Sequence, residues 1–282
     1  MRVGMNLLLW TTHVEEEHNP LLARLRETGF DGVEIPIGRG ELAHYQQLGR
    51  ELDRLGLART AVTSLAEDSN PLSPDPAVRA AALERMRWAL DRAAALGVEL
   101  VCGPFHSAYK VFTGQPPTED ERRWCAESLH AFAAEAQQRG LRLATEALNR
   151  FECYVMTTMA EARALVRAAD HPALAVHYDT HHMHIEEPDP AAAIAHVAAE
   201  LGHVHVSEND RGVPGTGQVN WTATFRALHE AGYDGWLTIE SFSRLDPEFA
   251  GAIHVWRDYF GDPMDVATGG HAFIRESWAG VV

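Results

Sequence analysis

The sequence predicts an α/β fold, a (β/α)8 (TIM) barrel in a single domain. Three observations predict it. Eight short apolar runs recur along 282 residues, amphipathic helical stretches lie between them, and a glycine follows many of the helix ends. The runs alternate little between polar and apolar residues, as parallel strands covered on both faces do.

The runs are residues 3–9, 32–37, 58–64, 100–104, 141–147, 174–179, 204–207 and 236–241. Among the helices, Leu83, Met86, Leu90 and Ala94 are spaced to form one apolar stripe. Another helix opens with Pro116-Pro117, then Thr118 and Glu121 in capping-box spacing. The glycine marks are Gly29, Gly56, Gly97, Gly140, Gly202 and Gly232, each followed by a side chain that can start the next strand. Glycine just past a helix end takes the left-handed conformation that satisfies the last carbonyls. Eight βα units in this length match a (β/α)8 barrel. A doubly wound open sheet is the competing architecture, but no GxGxxG follows the first run. Residues 1–260 are expected to form the barrel. Residues 261–282 are expected to be a C-terminal extension packing on the barrel or on a partner.

The composition excludes some functions. Asp and Glu number 40 against 24 Lys and Arg, a net charge of −16, and Lys110 is the one lysine. That balance argues against a nucleic-acid binder, which needs clustered cations. The three cysteines, Cys102, Cys125 and Cys153, form no CxxC and suggest neither a zinc ribbon nor a disulfide scaffold. No apolar run of about 18 residues occurs, so no membrane span is expected. The first run is short, broken by Asn6 and followed by the acidic residues 15–17, so it reads as a strand rather than a signal peptide. A cytoplasmic location is expected.

In a barrel the chemistry sits at the C-terminal ends of the strands. There the fifth run ends in Glu146, the sixth in Asp179, the seventh carries His203 and His205 before Glu208, and the eighth carries Glu240. Unpaired buried carboxylates are costly. A shared divalent cation is the simplest partner for such a group. Three oxygen ligands and an imidazole suit Mn²⁺, Mg²⁺ or Co²⁺. Mn²⁺ is the expected cofactor, with Co²⁺ and Mg²⁺ as alternatives. The stretch 212–217, rich in glycine, reads better as a tight turn than as a phosphate cradle, since it lacks the Lys-Ser/Thr of a P-loop. In the stretch 181–184, spacing alone does not choose which histidine faces the pocket.

At these residues the sequence resembles the D-tagatose 3-epimerase / D-allulose (psicose) 3-epimerase family of xylose-isomerase-like barrels. The likeness is carried by the stretches 146–152 (EALNRFE), 179–187 (DTHHMHIEE), 203–211 (HVHVSENDR) and 239–242 (IESF). The resemblance implies that Glu146, Asp179, His205 and Glu240 are the metal ligands. It implies that Glu146 and Glu240 are also the paired acid/base residues. Glu152, His182 and Arg211 would bind the carbonyl end of a ketose. The implied reaction is C3 epimerisation of a free ketose, such as fructose/allulose, tagatose/sorbose or ribulose/xylulose, through a cis-enediolate. A homodimer or homotetramer is likewise implied. The alternatives are a related isomerase, dehydratase or lyase acting on keto sugars or inososes, a metal-clustered DNA-repair barrel, and a non-enzymatic sugar-binding protein.

Overall fold

Each apolar run becomes a strand because backbone polar groups buried between a lumen and a ring of helices must pair with neighbouring chains. In the computed structural model, which describes residues 1–281, the eight strands close into one parallel barrel in sequence order. They are β1 Arg2–Asn6, β2 Gly32–Pro36, β3 Ala58–Val62, β4 Leu100–Gly103, β5 Arg142–Glu146, β6 Leu174–Asp179, β7 Leu201–Val206 and β8 Trp236–Ile239. β1 pairs with both β2 and β8, which closes the ring. The predicted barrel class is the observed one.

The helices are α1 Asn19–Thr28, α2 Leu42–Leu55, α3 Pro76–Leu96, α4 Glu119–Gln138, α5 Met159–Ala169, α6 Thr180–Glu186, α7 Pro190–Val197, α8 Trp221–Glu230, α9 Pro247–Ala252 and α10 Pro263–Ala279. The capping box at Thr118 and Glu121 is formed as the spacing predicts. Gly29, Gly56 and Gly97 take positive φ as C-caps of α1, α2 and α3. Helix α10 packs against α1, α8, β1 and β8.

Three local expectations are corrected. Ala94 is exposed, and the buried face of α3 runs instead through Met86, Ala89, Leu90 and Ala93. Gly202 is not a helix cap but lies inside β7, which starts at Leu201. A Cβ on Gly202 would stand 2.4 Å from Ala175 Cβ, so glycine there serves close packing between strands. The end of the first run, Leu7–Leu9, is a 3-10 turn capped by the Asn6 side chain.

Two layers fill the interior. The large core lies between strands and helices and holds most of the buried Leu, Ile, Val, Phe and Met. Val62, Leu100, Cys102, Ala144 and Ala175 form a separate small cluster. Ala144 and Glu146 share one face of β5 by the period of two, so this apolar plug lies beneath the strand-end carboxylates. All three cysteines are free and buried. Among the described residues, no helix is long and apolar enough to cross a membrane.

Candidate metal centre and active site

The C-terminal strand ends bring four ligand-type side chains to one point. Ligand atoms of Glu146, Asp179, His205 and Glu240 all lie within 4.8 Å of one another, and all four residues are buried. They come from β5, β6, β7 and the residue after β8, four consecutive staves of the barrel. Asp179 is held by its own helix: Oδ1 accepts from His181 N at 2.7 Å and His182 N at 3.0 Å, capping α6. Its Oδ2 faces the cluster, 3.2 Å from Arg211 Nη1. Arg211 Nη1 also donates to Glu240 Oε2 at 2.7 Å and Ser207 Oγ at 2.6 Å.

The imidazole of His205 is oriented from behind. Its Nε2 lies 2.7 Å from Glu34 Oε1, which receives the proton of that nitrogen. Nδ1 is then the nitrogen that would offer its lone pair to a cation. It makes no hydrogen bond, although it is 3.3 Å from Glu240 Oε1 and 3.6 Å from Asp179 Oδ2. A fully buried ring nitrogen without a hydrogen-bond partner, beside the Asp179 and Glu240 carboxylates, fits a cation ligand set better than a hydrogen-bond network. The residues present therefore fit a divalent ion with oxygen and imidazole donors.

Electrostatics support the same reading. Burial, then the Glu240 charge, raises the Glu146 carboxyl well above the usual range. Burial pushes Asp179 the same way, but Arg211 and His182 outweigh it and hold the carboxyl well below normal. Burial opposes charge on His205, yet the carboxylates of Glu240 and Glu34 raise its pKa well above the ordinary value. Each shift records charges crowded without solvent to screen them.

Above this cluster lies a cavity of about 580 Å³ lined by Glu146, Glu152, His182, Arg211 and Glu240 among others. Asp179 and His205 sit beneath it, with no exposed surface. The structure thus gathers all seven sequence-selected residues at one mouth. Asn149 N lies 3.1 Å from His182 Nδ1, and His182 Nε2 lies 3.1 Å from Arg211 Nη2 and 3.5 Å from Glu146 Oε1 at the cavity. Of the histidines in 181–184, the structure turns His181 and His182 to the cavity. Arg211 takes a left-handed φ of 62° and its guanidinium rests 4.8 Å from the Phe242 ring centroid. Glu152 has carboxylate oxygen within 4.8 Å of ring nitrogens of His181 and His182.

The stretch 212–217 is a turn around an internal anion. Gly215 N, Gln218 N, Val219 N and Trp221 Nε1 all donate to the Glu208 carboxylate. Glu208 is fully buried and serves the loop rather than the cluster.

Glu34 was not among the sequence candidates. Its carboxylate accepts from Asn6 Nδ2 at 2.9 Å, Thr60 Oγ1 at 2.8 Å and Cys102 Sγ at 3.1 Å, besides His205. His203 Nε2 lies 2.9 Å from its other oxygen. Burial would raise the Glu34 pKa, but His205 and His203 hold it well below normal. The available signal was a single acid inside the otherwise apolar run 32–37.

Comparison with known proteins agrees with this geometry. The family model described as xylose isomerase-like TIM barrel matches residues 22–259. The ketose 3-epimerase of Arthrobacter globiformis is 34% identical over 279 residues, covering 98% of this chain and 96% of that protein. The L-ribulose 3-epimerase of Mesorhizobium japonicum is 31% identical, covering 97% and 93%. The crystal structure of D-allulose 3-epimerase from Methylomonas sp. in complex with D-allulose superposes with a TM-score of 0.92 at 29% identity, covering 98% of this chain and 97% of that one. With a closed barrel, a strand-end cluster and relatives matched over nearly their whole length, this chain belongs to the xylose isomerase-like TIM barrels and, within them, to the ketose 3-epimerases, which are isomerases.

Proposed function

We propose that the chain is a divalent-metal-dependent enzyme that inverts C3 of free ketoses, with fructose/allulose, tagatose/sorbose and ribulose/xylulose as candidate pairs. The observation that carries this is the pair Glu146 and Glu240, on β5 and after β8, facing one cavity with Asp179 and His205 between them. Mn²⁺ is the proposed ion, held by Glu146, Asp179, His205 and Glu240. A divalent cation held there supplies Lewis-acid stabilisation to negative charge developing on neighbouring substrate oxygens.

The residues divide the remaining work. Epimerisation beside a carbonyl removes a C–H proton from one face and returns one to the other. Two carboxylates reaching one cavity from different strands suit that task in both directions. Burial and the Glu240 charge raise the Glu146 pKa without a cation, and beside a cation the carboxylate would stay ionised and able to take a proton. Arg211 and His182 hold the carbonyl-side oxygens, and Glu152 accepts from hydroxyl groups beside them. The apolar wall formed by Leu8, Ile37, Val62 and Phe242 keeps water from the exchanging protons.

We further propose a cytoplasmic homodimer or homotetramer. Residues 1–260 are read as the barrel proper and 261–282 as a C-terminal piece whose helix lies in the outer ring. Incubating the protein and Mn²⁺ with fructose, tagatose and ribulose tests the reading. New sugars of unchanged mass support it. A product of altered mass, or no product from any ketose, overturns it.

A further inference from the structure

Among the described residues, four other than glycine take a left-handed φ: Lys110 (56°), Asp170 (47°), Arg211 (62°) and His254 (64°). Asp170 caps α5. The other three stand at the mouth of the barrel. Arg211 and His254 line the cavity, and Lys110 follows Tyr109, which also lines it. Left-handed backbone in a residue with a Cβ is costly and persists where the surroundings hold it in place. Arg211 is held by Asp179 and Glu240. Lys110 and His254 meet each other.

Lys110 joins three turns. It lies in the one after β4. Its backbone N–H donates to Glu152 O at 3.0 Å, in the turn after β5. Its ammonium donates to Ala252 O at 3.0 Å, at the end of α9, and lies 3.4 Å from both ring nitrogens of His254. The same ammonium is 4.7 Å from the Tyr109 ring centroid. An ammonium has three donors, so one head group serves the carbonyl and the imidazole together. Burial lowers the pKa of Lys110, and the Glu152 charge opposes that. The cation therefore also stands near the carboxylate that would accept from the sugar.

The segment that Lys110 holds has its own small core. Phe242, Ala250 and Val255 form a cluster separate from the main one, with Ile253 and Tyr259 packed against it. An element on so small a cluster opens more readily than one in the main core. Its other polar ties are slight. Arg244 and Asp258 form an exposed ion pair, a kind worth little, and Thr12 reaches Asp246 at 3.5 Å. Yet Ile253, His254 and Val255 form part of the cavity wall.

We propose that Lys110 is a positioning residue for the ketose, clasping the wall at 252–255 to the turn that carries Glu152 so that the two stand at a fixed separation around the sugar. The role rests on the epimerase reading of the site. Lys110 does not itself line the cavity, so it acts through the residues it joins. Loss of the clasp weakens ketose binding and leaves the Glu146 and Glu240 carboxylates where they are.

Wild type and Lys110→Met, both loaded with Mn²⁺, are compared on D-fructose, D-tagatose and D-ribulose. The expected result is a KM at least about tenfold higher in Lys110→Met with kcat within about threefold, the pattern of lost uniform binding. Rescue is tested in Lys110→Cys. The native cysteines are buried, so 2-bromoethylamine alkylates the new thiol, with bromide leaving, and restores an ammonium on a stem of lysine length. KM should then return to within about threefold of wild type, since the compact point charge is back. An unchanged KM in Lys110→Met, a loss confined to kcat, or no recovery on aminoethylation overturns the proposal.

Amide hydrogen exchange reads the clasp without a sugar. The N–H groups of Ile253 and Val255 bond within the segment, to Phe249 O and Ala250 O. They should exchange at least about tenfold faster in Lys110→Met, with the strand amides unchanged. Equal exchange overturns the clasp. If wild type turns over no ketose, the epimerase reading fails on its own, and the exchange rates alone decide whether Lys110 holds the wall. Lys110→Gln replaces Lys110→Met if that variant does not fold.

Discussion

Glu34 and His205 are 171 residues apart in sequence, yet Glu34 Oε1 and His205 Nε2 meet at 2.7 Å inside the barrel. The contact selects the tautomer that frees Nδ1 toward Glu146, Asp179 and Glu240. Glu34→Gln keeps the shape and removes the charge. Metal affinity is expected to weaken about 10–100-fold, the usual effect of losing a carboxylate behind a ligating histidine. Titration calorimetry with Mn²⁺ reads it. Unchanged affinity would show that the contact is only packing.

Glu146→Gln and Glu240→Gln each remove one of the two proposed proton carriers. Each is expected to lower exchange of the C3 hydrogen with solvent by about 10²–10⁴-fold. Proton NMR of the ketose in deuterated buffer measures this directly. Sustained exchange and epimerisation in folded, metal-loaded Glu240→Gln would sink the two-carboxylate assignment.

Metal binding is expected to release a proton. Burial and the Glu240 charge raise the Glu146 pKa, so below that raised value the carboxyl is protonated in the metal-free protein. A cation must displace that proton, and affinity therefore rises with pH until Glu146 is ionised without help. Calorimetry in two buffers of different ionisation enthalpy counts the protons. The same linkage makes chelation lower the melting temperature, since an ion at about 100 times its Kd adds about 2.7 kcal/mol to the folded state.

His106 gives a separate pH dependence of stability. It is fully buried, and burial lowers its pKa to about 3. Unfolded, it titrates near 6.5. Between those values the unfolded chain binds a proton that the folded one does not. Stability is therefore present above about pH 6.5 and falls as pH drops, by up to about 1.4 kcal/mol per pH unit from this group. Urea midpoints at pH 7, 6 and 5 should show a shallower slope in His106→Phe. An identical slope would assign the acid sensitivity elsewhere, with His181, lowered to about 3 chiefly by burial, as the next group to test.

Glu208→Ala is expected to destabilise the fold by at least about 1–3 kcal/mol, the cost of leaving a buried hydrogen-bonding group without its partner. The N–H groups of Asn209, Gly215, Gln218 and Val219 and the Trp221 indole lose their acceptor at once. Arg211 lies in the segment that Glu208 gathers, so activity should fall with the melting temperature. A variant of unchanged stability would show that water replaces the carboxylate.

The strand-end acids were legible in the sequence because an acid closing an apolar run stands out against its neighbours. Asp179, Glu146 and Glu240 were found that way. Glu34 was not, because it sits within its run and its partners, Asn6, Thr60, Cys102, His203 and His205, lie on other strands. Only closure of the barrel brings them together. Gly202 misled for a related reason. A glycine required by the Cβ of Ala175 and a glycine required by a left-handed cap look alike until the neighbouring strand is in place. Ala94 failed because alanine fits either side of a helix, so spacing alone did not say which residues face inward.

The mouth of the barrel is divided between two sets of staves. β5 to β8 carry the four proposed ligands, while the turns after β1 to β3, together with α9, build much of the opposing wall. Such a division lets the wall vary while the clustered acids stay fixed. Substitutions at Leu8, Ile37, Val62, Arg85 or Phe249 reshape that wall, and the proposed proton-transfer pair need not be rebuilt with each of them.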